Sequence, residues 1–211
     1  MSADLNQYYL QQMGIQVWTE RPIHSCENKL FLLERQVSSC VKCRLHENRS
    51  KTVFAQGNPL ARLMIIGEAP GFYEDKEGLP FAGKAGHLLK QMLFSIGLSE
   101  QDVYITNALK CRVSENNLPL PAEIAFCEDY LSQQISLVAP QLLLALGCIA
   151  GQVAIKKSLP LYQLRESLHY YDKIPCLVSY HPAHLLQNPA DKKRAYSDLL
   201  EVKRILSRTN E

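Results

Sequence analysis

Four cysteines have the residue type and spacing expected of ligands to an inorganic centre. Cys40 and Cys43 form a C-x2-C pair, and Cys111 and Cys127 lie farther along the chain, after a predicted strand. Four thiolates can bind either a tetrahedral zinc ion or an iron–sulfur cluster, and spacing does not distinguish the two. The alternative is that the last two are small buried hydrophobic side chains. The chain has seven cysteines, and this odd number argues against a framework of disulfides.

A carboxylate in a glycine-rich segment is the second candidate functional group. Residues 67–71 read Gly-Glu-Ala-Pro-Gly directly after a predicted strand, so two glycines flank Glu68. Glycines let backbone amides approach a ligand closely. The spacing fits neither the phosphate-binding P-loop nor the dinucleotide fingerprint. Phe81, in the next glycine-rich stretch, is predicted to face a pocket, and packing in the core is the alternative.

Two more polar residues follow other predicted strands. Asn107 comes directly after the strand at 103–106, and His181 lies between the strand at 176–179 and a proline. A histidine held at such a turn has little freedom, and its role is either structural or catalytic. Because sites in parallel sheets form at the carboxyl ends of strands, we expect Glu68, Asn107 and His181 to lie at the same edge.

Strands and helices alternate along most of the chain. The predicted strands lie at 62–66, 103–106, 141–145 and 176–179. The predicted helices lie at 28–37, 83–98, 121–138, 147–156 and 189–207. This alternation predicts an α/β fold in which helices cover both faces of a parallel sheet. We therefore expect a three-layer α/β/α sandwich with a mainly parallel, four-stranded sheet.

Length and composition are those of a globular protein with one main domain. The 211 residues are 46% hydrophobic and 21% charged, which excludes disorder, collagen-like repeats and coiled coils as descriptions of the whole chain. The net charge of +2 is too small to indicate nucleic-acid binding, so any DNA contact must come from a local patch. The most apolar stretch, 142–155, is too short for a bilayer helix, and residues 1–20 carry no recognisable secretion signal. We expect a cytoplasmic protein without membrane contact, with an appendage at 1–28 and a domain at 29–211.

Together these motifs resemble those of the family 4 uracil-DNA glycosylases, which carry an iron–sulfur cluster. The resemblance extends from about residue 30 to residue 206 and follows the motif order of the family. Its motifs are C-x2-C at 40–43, GEAPG at 67–71, PF-x-G-x-AG at 80–86, N-x2-KCR at 107–112, the cysteine at 127 and HPA at 181–183. The resemblance implies the uracil-DNA glycosylase fold, with uracil-containing DNA as the substrate.

The resemblance also implies a role for each candidate residue. A structural 4Fe-4S cluster near the DNA-facing surface would bind Cys40, Cys43, Cys111 and Cys127. Phe81 would stack on the extruded uracil, and Asn107 would read its polar edge, because an amide offers both a donor and an acceptor. Glu68 would orient the attacking water, and His181 would stabilise the departing uracil anion. The other substrate-binding residues would be Gly67, Ala69, Gly71 and Asp75.

An enzyme of this kind would use water as its nucleophile, because no lysine stands in a motif position for a Schiff base. The expected product is an abasic site without strand cleavage, and the expected state is a monomer. Leu185 and Leu186 are both candidates for the residue that wedges into the DNA. The alternative function is a non-catalytic DNA-binding or replisome accessory protein. A decayed enzyme would not be expected to keep the four residues that the resemblance places around the uracil.

The segment at 8–22 has a resemblance of its own. It is similar to the start of the psi subunit of bacterial DNA polymerase III, the part that docks on the chi subunit. An aromatic cluster near a chain terminus suits a docking peptide. The alternative is a tail that folds back on the domain. We therefore hypothesise that the chi subunit is a partner.

Overall fold

The computed structural model describes Met13, residues 25–113 and residues 118–208. The predicted appendage at 1–28 therefore lies outside the described residues, except for Met13 and its last four positions. The psi-like segment at 8–22 also lies outside them apart from Met13, so its predicted docking on chi has no structural test here.

The sheet has six strands within the described part of the chain, in the order β1-β3-β2-β4-β6-β5. The strands are β1 (Ala55–Gly57), β2 (Leu63–Gly67), β3 (Val103–Asn107), β4 (Leu142–Leu146), β5 (His169–Tyr171) and β6 (Ile174–Ser179). The four central strands are parallel, and they are the four that the sequence predicts. The outer two are antiparallel to their neighbours. The prediction of four strands was too low, because three-residue edge strands are too short and too exposed to show a buried apolar pattern.

All five predicted helices are present. The helices are α1 (Ser25–Ser38), α2 (Leu45–Asn48), α3 (Phe72–Glu77), α4 (Lys84–Ser95), α5 (Pro121–Val138), α6 (Cys148–Ile155), α7 (Leu161–Arg165), α8 (Pro182–Gln187) and α9 (Lys192–Arg208). The four short helices α2, α3, α7 and α8 were not predicted, because four to six residues do not complete an apolar period. The predicted helix at 189–207 divides into a 3-10 turn at Pro189–Asp191 and α9.

The two faces of the sheet bury separate cores, which confirms the three-layer arrangement. On β2, Met64 and Ile66 pack with residues of α1, α5 and α6, whereas Leu63 and Ile65 pack with residues of α4 and α9. This alternation follows from the two-residue period of a strand. No helix among the described residues is long and apolar enough to span a bilayer.

The strand order reverses beside β2. The chain passes from β2 to β3 on one side and then crosses to β4 on the other side. Crevices that open at the carboxyl ends of strands at such a reversal are the usual ligand sites of open α/β sheets. Glu68 follows β2, Asn107 ends β3 and His181 follows β6, so all three stand at this edge, as predicted.

Candidate active site

Gly67 is the point at which the Asn107 and Phe81 side chains meet. A Cβ atom added to Gly67 would collide with the Asn107 side-chain oxygen and would lie 2.8 Å from Cζ of Phe81. The absence of a side chain on Gly67 therefore lets the Asn107 amide and the Phe81 ring approach the end of β2. The Phe81 ring in turn stacks with the His181 ring, with centroids 5.5 Å apart and planes inclined by 22°.

Phe81 itself has a strained backbone. Its φ of 54° lies in the left-handed region, which costs a non-glycine residue on the order of 1–3 kcal/mol. The surrounding structure holds this conformation: Gly86 approaches the Phe81 carbonyl so closely that no Cβ could fit there. Strain of this kind clusters at ligand sites, and here it holds a large buried ring between Gly67 and the His181 ring.

The Asn107 side chain is enclosed but has no protein partner within the described residues. Only 3% of the residue is exposed, and its amide atoms retain contact with solvent. Its backbone carbonyl, by contrast, accepts a hydrogen bond from Nζ of Lys110 at 2.6 Å. The backbone is therefore fixed while the amide keeps one donor group and one acceptor group available to a ligand.

Lys110 is a residue whose importance the sequence analysis missed. Its side chain is fully buried, and its Nζ donates to Thr106 Oγ1 (2.8 Å), the Asn107 carbonyl (2.6 Å) and Gln134 Oε1 (2.6 Å). Burial lowers the pKa of Lys110 to about 7. The sequence signal was its place three residues after Asn107 and directly before Cys111, between the two predicted sites.

Glu68 lies at the amino end of α6. One carboxylate oxygen, Oε1, accepts the backbone N–H of Ile149 at 2.9 Å, and the backbone N–H of Cys148 also donates to the carboxylate. The carboxylate lies so close to Gly147 that a Cβ there would be 2.7 Å from its Cδ, and Gly147 also has a φ of 99°. Burial raises the pKa of Glu68, and the two N–H groups oppose that rise.

His181 is held in one orientation and one tautomer. Its Nδ1 accepts the backbone N–H of Ala183 at 3.2 Å at the start of α8. Burial lowers the pKa of His181 to about 4, so the ring is neutral at pH 7. Because Nδ1 accepts a hydrogen bond, the neutral ring carries its proton on Nε2 and can donate from that atom.

The loop before Phe81 is held by two carboxylates with different partners. Glu74, which the sequence analysis did not single out, accepts the backbone N–H groups of Gly71 (3.0 Å) and Gly83 (3.1 Å). Asp75 is buried, and its two oxygens accept the backbone N–H of Ser50 at 2.9 and 3.0 Å. The Asp75 carboxylate is therefore bound to the backbone of Ser50.

The structure therefore brings Gly67, Phe81, Asn107 and His181 together, with Glu68 next to Gly67 in the chain. Ala69 instead packs against the core on the α1 and α5 side of the sheet. Gly71 contributes its N–H group to Glu74. For Ala69, Gly71 and Asp75, substrate binding stays a prediction.

The four predicted ligand cysteines line a single small cavity. The cavity is also lined by the cationic or titratable side chains of Lys42, His46, Arg49 and Lys110. The Arg49 guanidinium donates to the sulfur of Cys111 at 3.1 Å, and the backbone N–H of Lys110 donates to the sulfur of Cys127. Among the described residues, no three histidine, cysteine or acidic side chains converge closely enough to hold a single metal ion.

Comparison with known proteins gives one consistent result. Residues 54–201 match the family model of the uracil DNA glycosylase superfamily. The chain is 38% identical over 180 residues to a type-4 uracil-DNA glycosylase of Archaeoglobus fulgidus, and this match covers 80% of the chain and 88% of the relative. It is also 38% identical over 189 residues to the enzyme of that name from Saccharolobus solfataricus (85% and 88% covered). Identity with the type-4 enzyme of Thermotoga maritima is 34% over 174 residues (82% and 91% covered). None of these findings supports the resemblance of the N-terminal segment to psi.

Proposed function

This chain belongs to the uracil DNA glycosylase superfamily, and we propose that it works as a type-4 uracil-DNA glycosylase in DNA repair. In this proposal it extrudes uracil from DNA and hydrolyses the N-glycosidic bond, leaving an abasic site. The observation that carries the proposal is the convergence of the Phe81 ring, the Asn107 amide and the His181 ring beside Gly67. The alternative of a non-catalytic accessory protein is not favoured, because the relatives are named as enzymes and the chain matches them over most of their length.

Recognition of the base is assigned to Phe81 and Asn107. Stacking of the extruded uracil on an aromatic ring contributes about 1–3 kcal/mol and offsets the cost of unstacking it from the DNA. The unpaired Asn107 amide can accept from N3–H of uracil and donate to O4. Cytosine presents the opposite pattern at these positions and would leave the buried amide unsatisfied, which is a strong source of discrimination.

Bond cleavage is assigned to His181 and Glu68. Breaking the glycosidic bond builds negative charge on uracil and positive charge on the sugar. The neutral His181 ring can donate its Nε2–H to the uracil anion. Its orientation is fixed, because the backbone N–H of Ala183 donates to the other ring nitrogen. The Glu68 carboxylate can orient the attacking water and offset the positive charge on the sugar. The two helix amides that bind Glu68 would keep its carboxylate in place during both steps.

The cysteine cavity is proposed to hold the 4Fe-4S cluster. Zinc would require four sulfurs about 2.3 Å from one centre, and the described residues show no such convergence. In a 4Fe-4S cluster each cysteine binds a different iron atom, so sulfurs spread around one cavity suit it better. The N–H groups that reach Cys111 and Cys127, together with the lining cations, suit the negative charge of such a centre. When bound, the cluster would supply cross-links between the loop that joins α1 to α2, helix α5 and the loop after β3.

Metal analysis of protein prepared without oxygen tests this assignment. We expect about four iron atoms per chain and a brown colour, because all four cysteines are available as ligands. The Cys127→Ser variant should lose most of this iron, whereas Cys148→Ser, whose sulfur lies outside the cavity, should keep it. A colourless protein with one zinc ion would contradict the assignment.

A uracil-release assay tests the activity itself. Wild-type protein should release uracil from single- or double-stranded oligonucleotides, and Glu68→Gln should lower kcat by about 100-fold or more, because the neutral amide cannot offset the positive charge on the sugar and binds the attacking water less strongly. Glu166→Gln, at an exposed position after α7, is the matched control and should retain the wild-type rate. Equal rates for Glu68→Gln and the control would remove Glu68 from the mechanism.

Of the two leucines predicted as DNA wedges, we assign the role to Leu186. Leu185 is 1% exposed and packs in the core, whereas Leu186 is 44% exposed on α8, five residues after His181. An apolar side chain must be exposed to enter a base stack. We expect Leu186→Ala to weaken activity on double-stranded substrates more than on single-stranded ones, and equal losses on both would contradict the assignment.

The N-terminal segment at 8–22 carries a separate proposal, docking on the polymerase III chi subunit. It rests only on the sequence resemblance and on the aromatic residues of the segment. Deleting residues 1–22 should abolish capture of purified chi while leaving uracil release intact. Unchanged capture after the deletion would refute the docking. The cytoplasmic location and the monomeric state also stay predictions.

A further inference from the structure

Two neighbouring aromatic side chains are exposed at the start of α3. Phe72 is 42% exposed and Tyr73 is 57% exposed, and their rings meet edge to face with centroids 5.5 Å apart. Large aromatic rings this exposed are costly to keep in water, and side by side they suggest a binding surface. Neither ring has a role in the pocket described above.

The position of Tyr73 places this pair beside the loop that carries Phe81, the ring proposed to stack on uracil. Its ring lies against the backbone of Gly83, where an added Cβ would be 3.2 Å from Cδ2 of Tyr73. Gly83 is hydrogen-bonded to Glu74 and lies two residues after Phe81. The exposed ring and the buried pocket ring are thus connected through one short, tightly held loop.

Positive charge surrounds the same pair. Nζ of Lys76 lies 4.3 Å from the centroid of the Phe72 ring, and the guanidinium carbon of Arg112 lies 5.0 Å from it. These cation–π contacts hold the two cations beside Tyr73, whose own ring has no such cation among the described residues. A free aromatic face next to held cations is the combination that binds one base and its phosphate in single-stranded nucleic acid.

Base extrusion creates the matching ligand. When uracil leaves the stack, each neighbouring nucleobase on the same strand loses the stacking partner on one face. Such a base is covalently tied to the uracil and must lie close to the mouth of the pocket. A protein partner could bind an aromatic pair anywhere on the surface, so the proximity of this pair to Phe81 favours a nucleotide as the ligand.

We propose that Phe72, Tyr73 and Lys76 form a second nucleotide subsite, in which Tyr73 stacks on the nucleobase adjacent to the extruded uracil and Lys76 contacts a backbone phosphate. This inference rests on the proposed function, because the uracil defines which nucleotide is adjacent. Phe72 acts in the subsite by holding Lys76 in place.

Equilibrium binding to a single-stranded oligonucleotide tests the stacking. The oligonucleotide carries one 2′-fluoro-2′-deoxyuridine, which resists cleavage, and fluorescence anisotropy gives Kd. Tyr73→Ala should weaken binding by roughly tenfold, whereas Tyr73→Phe, which keeps the ring, should stay within about twofold of wild type. Tyr170→Ala is the matched control, because Tyr170 is about as exposed but lies on β5 opposite the amino end of β6.

Removing the neighbouring base isolates the contact. The measurement is repeated with an abasic analogue on the 5′ side or on the 3′ side of the uracil. The Tyr73→Ala penalty should disappear with one of these two oligonucleotides, which identifies the stacked neighbour. A penalty that persists with both, or no penalty on the intact strand, would overturn the stacking.

The phosphate contact has its own signature. For Lys76→Gln, the slope of log Kd against log salt concentration should fall in magnitude by about 0.7, the value for one phosphate contact on a single strand. An unchanged slope would remove Lys76 from the subsite. Uracil release by the wild-type protein distinguishes failure of the subsite from failure of the proposed function. If the wild-type protein releases uracil but Tyr73→Ala binds DNA as the wild type does, the subsite alone is refuted.

Discussion

Replacing Lys110 by methionine should destabilise the protein without adding or removing bulk. Methionine has a similar length but no donor, so the change removes all three hydrogen bonds of Nζ. Gln134 and Thr106 can still bond each other, since their oxygens are 3.2 Å apart, but the Asn107 carbonyl loses the Nζ donor. The variant therefore isolates one buried ammonium group and its effect on the segment that ends β3.

At pH 6, where the Lys110 amine is mostly protonated because its pKa is about 7, the expected loss is about 3 kcal/mol. Hydrogen bonds to a charged group contribute about 1.5–3 kcal/mol each, which gives roughly 4.5–9 kcal/mol for three. Removing a buried charge returns several kcal/mol of its desolvation cost, which cancels about half of that sum. For a chain of this length, about 3 kcal/mol corresponds to a decrease of about 6–12 °C in Tm.

Thermal unfolding followed by circular dichroism measures this difference. The samples must have equal content of the proposed cluster, because a bound cofactor also shifts Tm. Lys193→Met on α9 is the control, since this lysine is exposed and should change Tm by no more than about 2 °C. If Lys110→Met unfolds within 2 °C of that control, the hydrogen bonds of Lys110 do not contribute as argued. We also expect its kcat/KM to fall about tenfold or more, because Asn107 is no longer held.

Three further predictions concern the site. Since the pKa of His181 lies near 4, the ring stays neutral throughout the range from pH 5 to 8, and kcat/KM should show no inflection near 6.5. The loss of activity at acid pH should instead begin above 4.5, as Glu68 with its raised pKa gains a proton; an inflection near 6.5 that is absent in His181→Ala would contradict this. Asn107→Asp replaces the donor to uracil O4 by a second acceptor and should lower kcat/KM for uracil about 10⁴-fold, whereas retention of activity in a release assay would exclude base reading by the amide. Asp75→Asn turns an N–H group toward Ser50 and should lower Tm by about 3–6 °C with unchanged KM; a raised KM at unchanged Tm would instead assign Asp75 to the substrate.

The sequence predicts the centre of the fold better than its edges. Central strands such as β2 are buried on both faces and read as continuous apolar runs, which identify them without any structure. The edge strands β1 and β5 are defined by hydrogen bonds to β3 and β6, and three residues carry too little burial to leave a pattern. Short helices such as α3 escape prediction for the same reason.

The candidate site was predictable where a side chain follows a strand. Glu68, Asn107 and His181 lie at one edge because the parallel strands before them end there. Partners that are backbone groups could not be predicted, because an amide such as that of Ile149 leaves no residue-specific signal. The case of Asp75 is similar: its partner is the backbone of a residue 25 positions away, and only the tertiary structure brings the two together.

The candidate active site and the cysteine cavity share one short segment of chain. Asn107 belongs to the candidate site, Cys111 lines the cavity, and Lys110 lines the cavity while its Nζ donates to the Asn107 carbonyl. The Lys110 carbonyl is itself fixed by the backbone N–H of Val53 at 2.8 Å, so the segment cannot shift at one end alone. His181 lies on a different segment, after β6, and within the described part of the chain no hydrogen bond of its ring leads to the cavity. The backbone N–H of Leu109, in the same segment, donates to the Glu68 carbonyl at 3.0 Å. A disturbance of the cysteines should therefore reach Asn107 and Glu68 before it reaches His181.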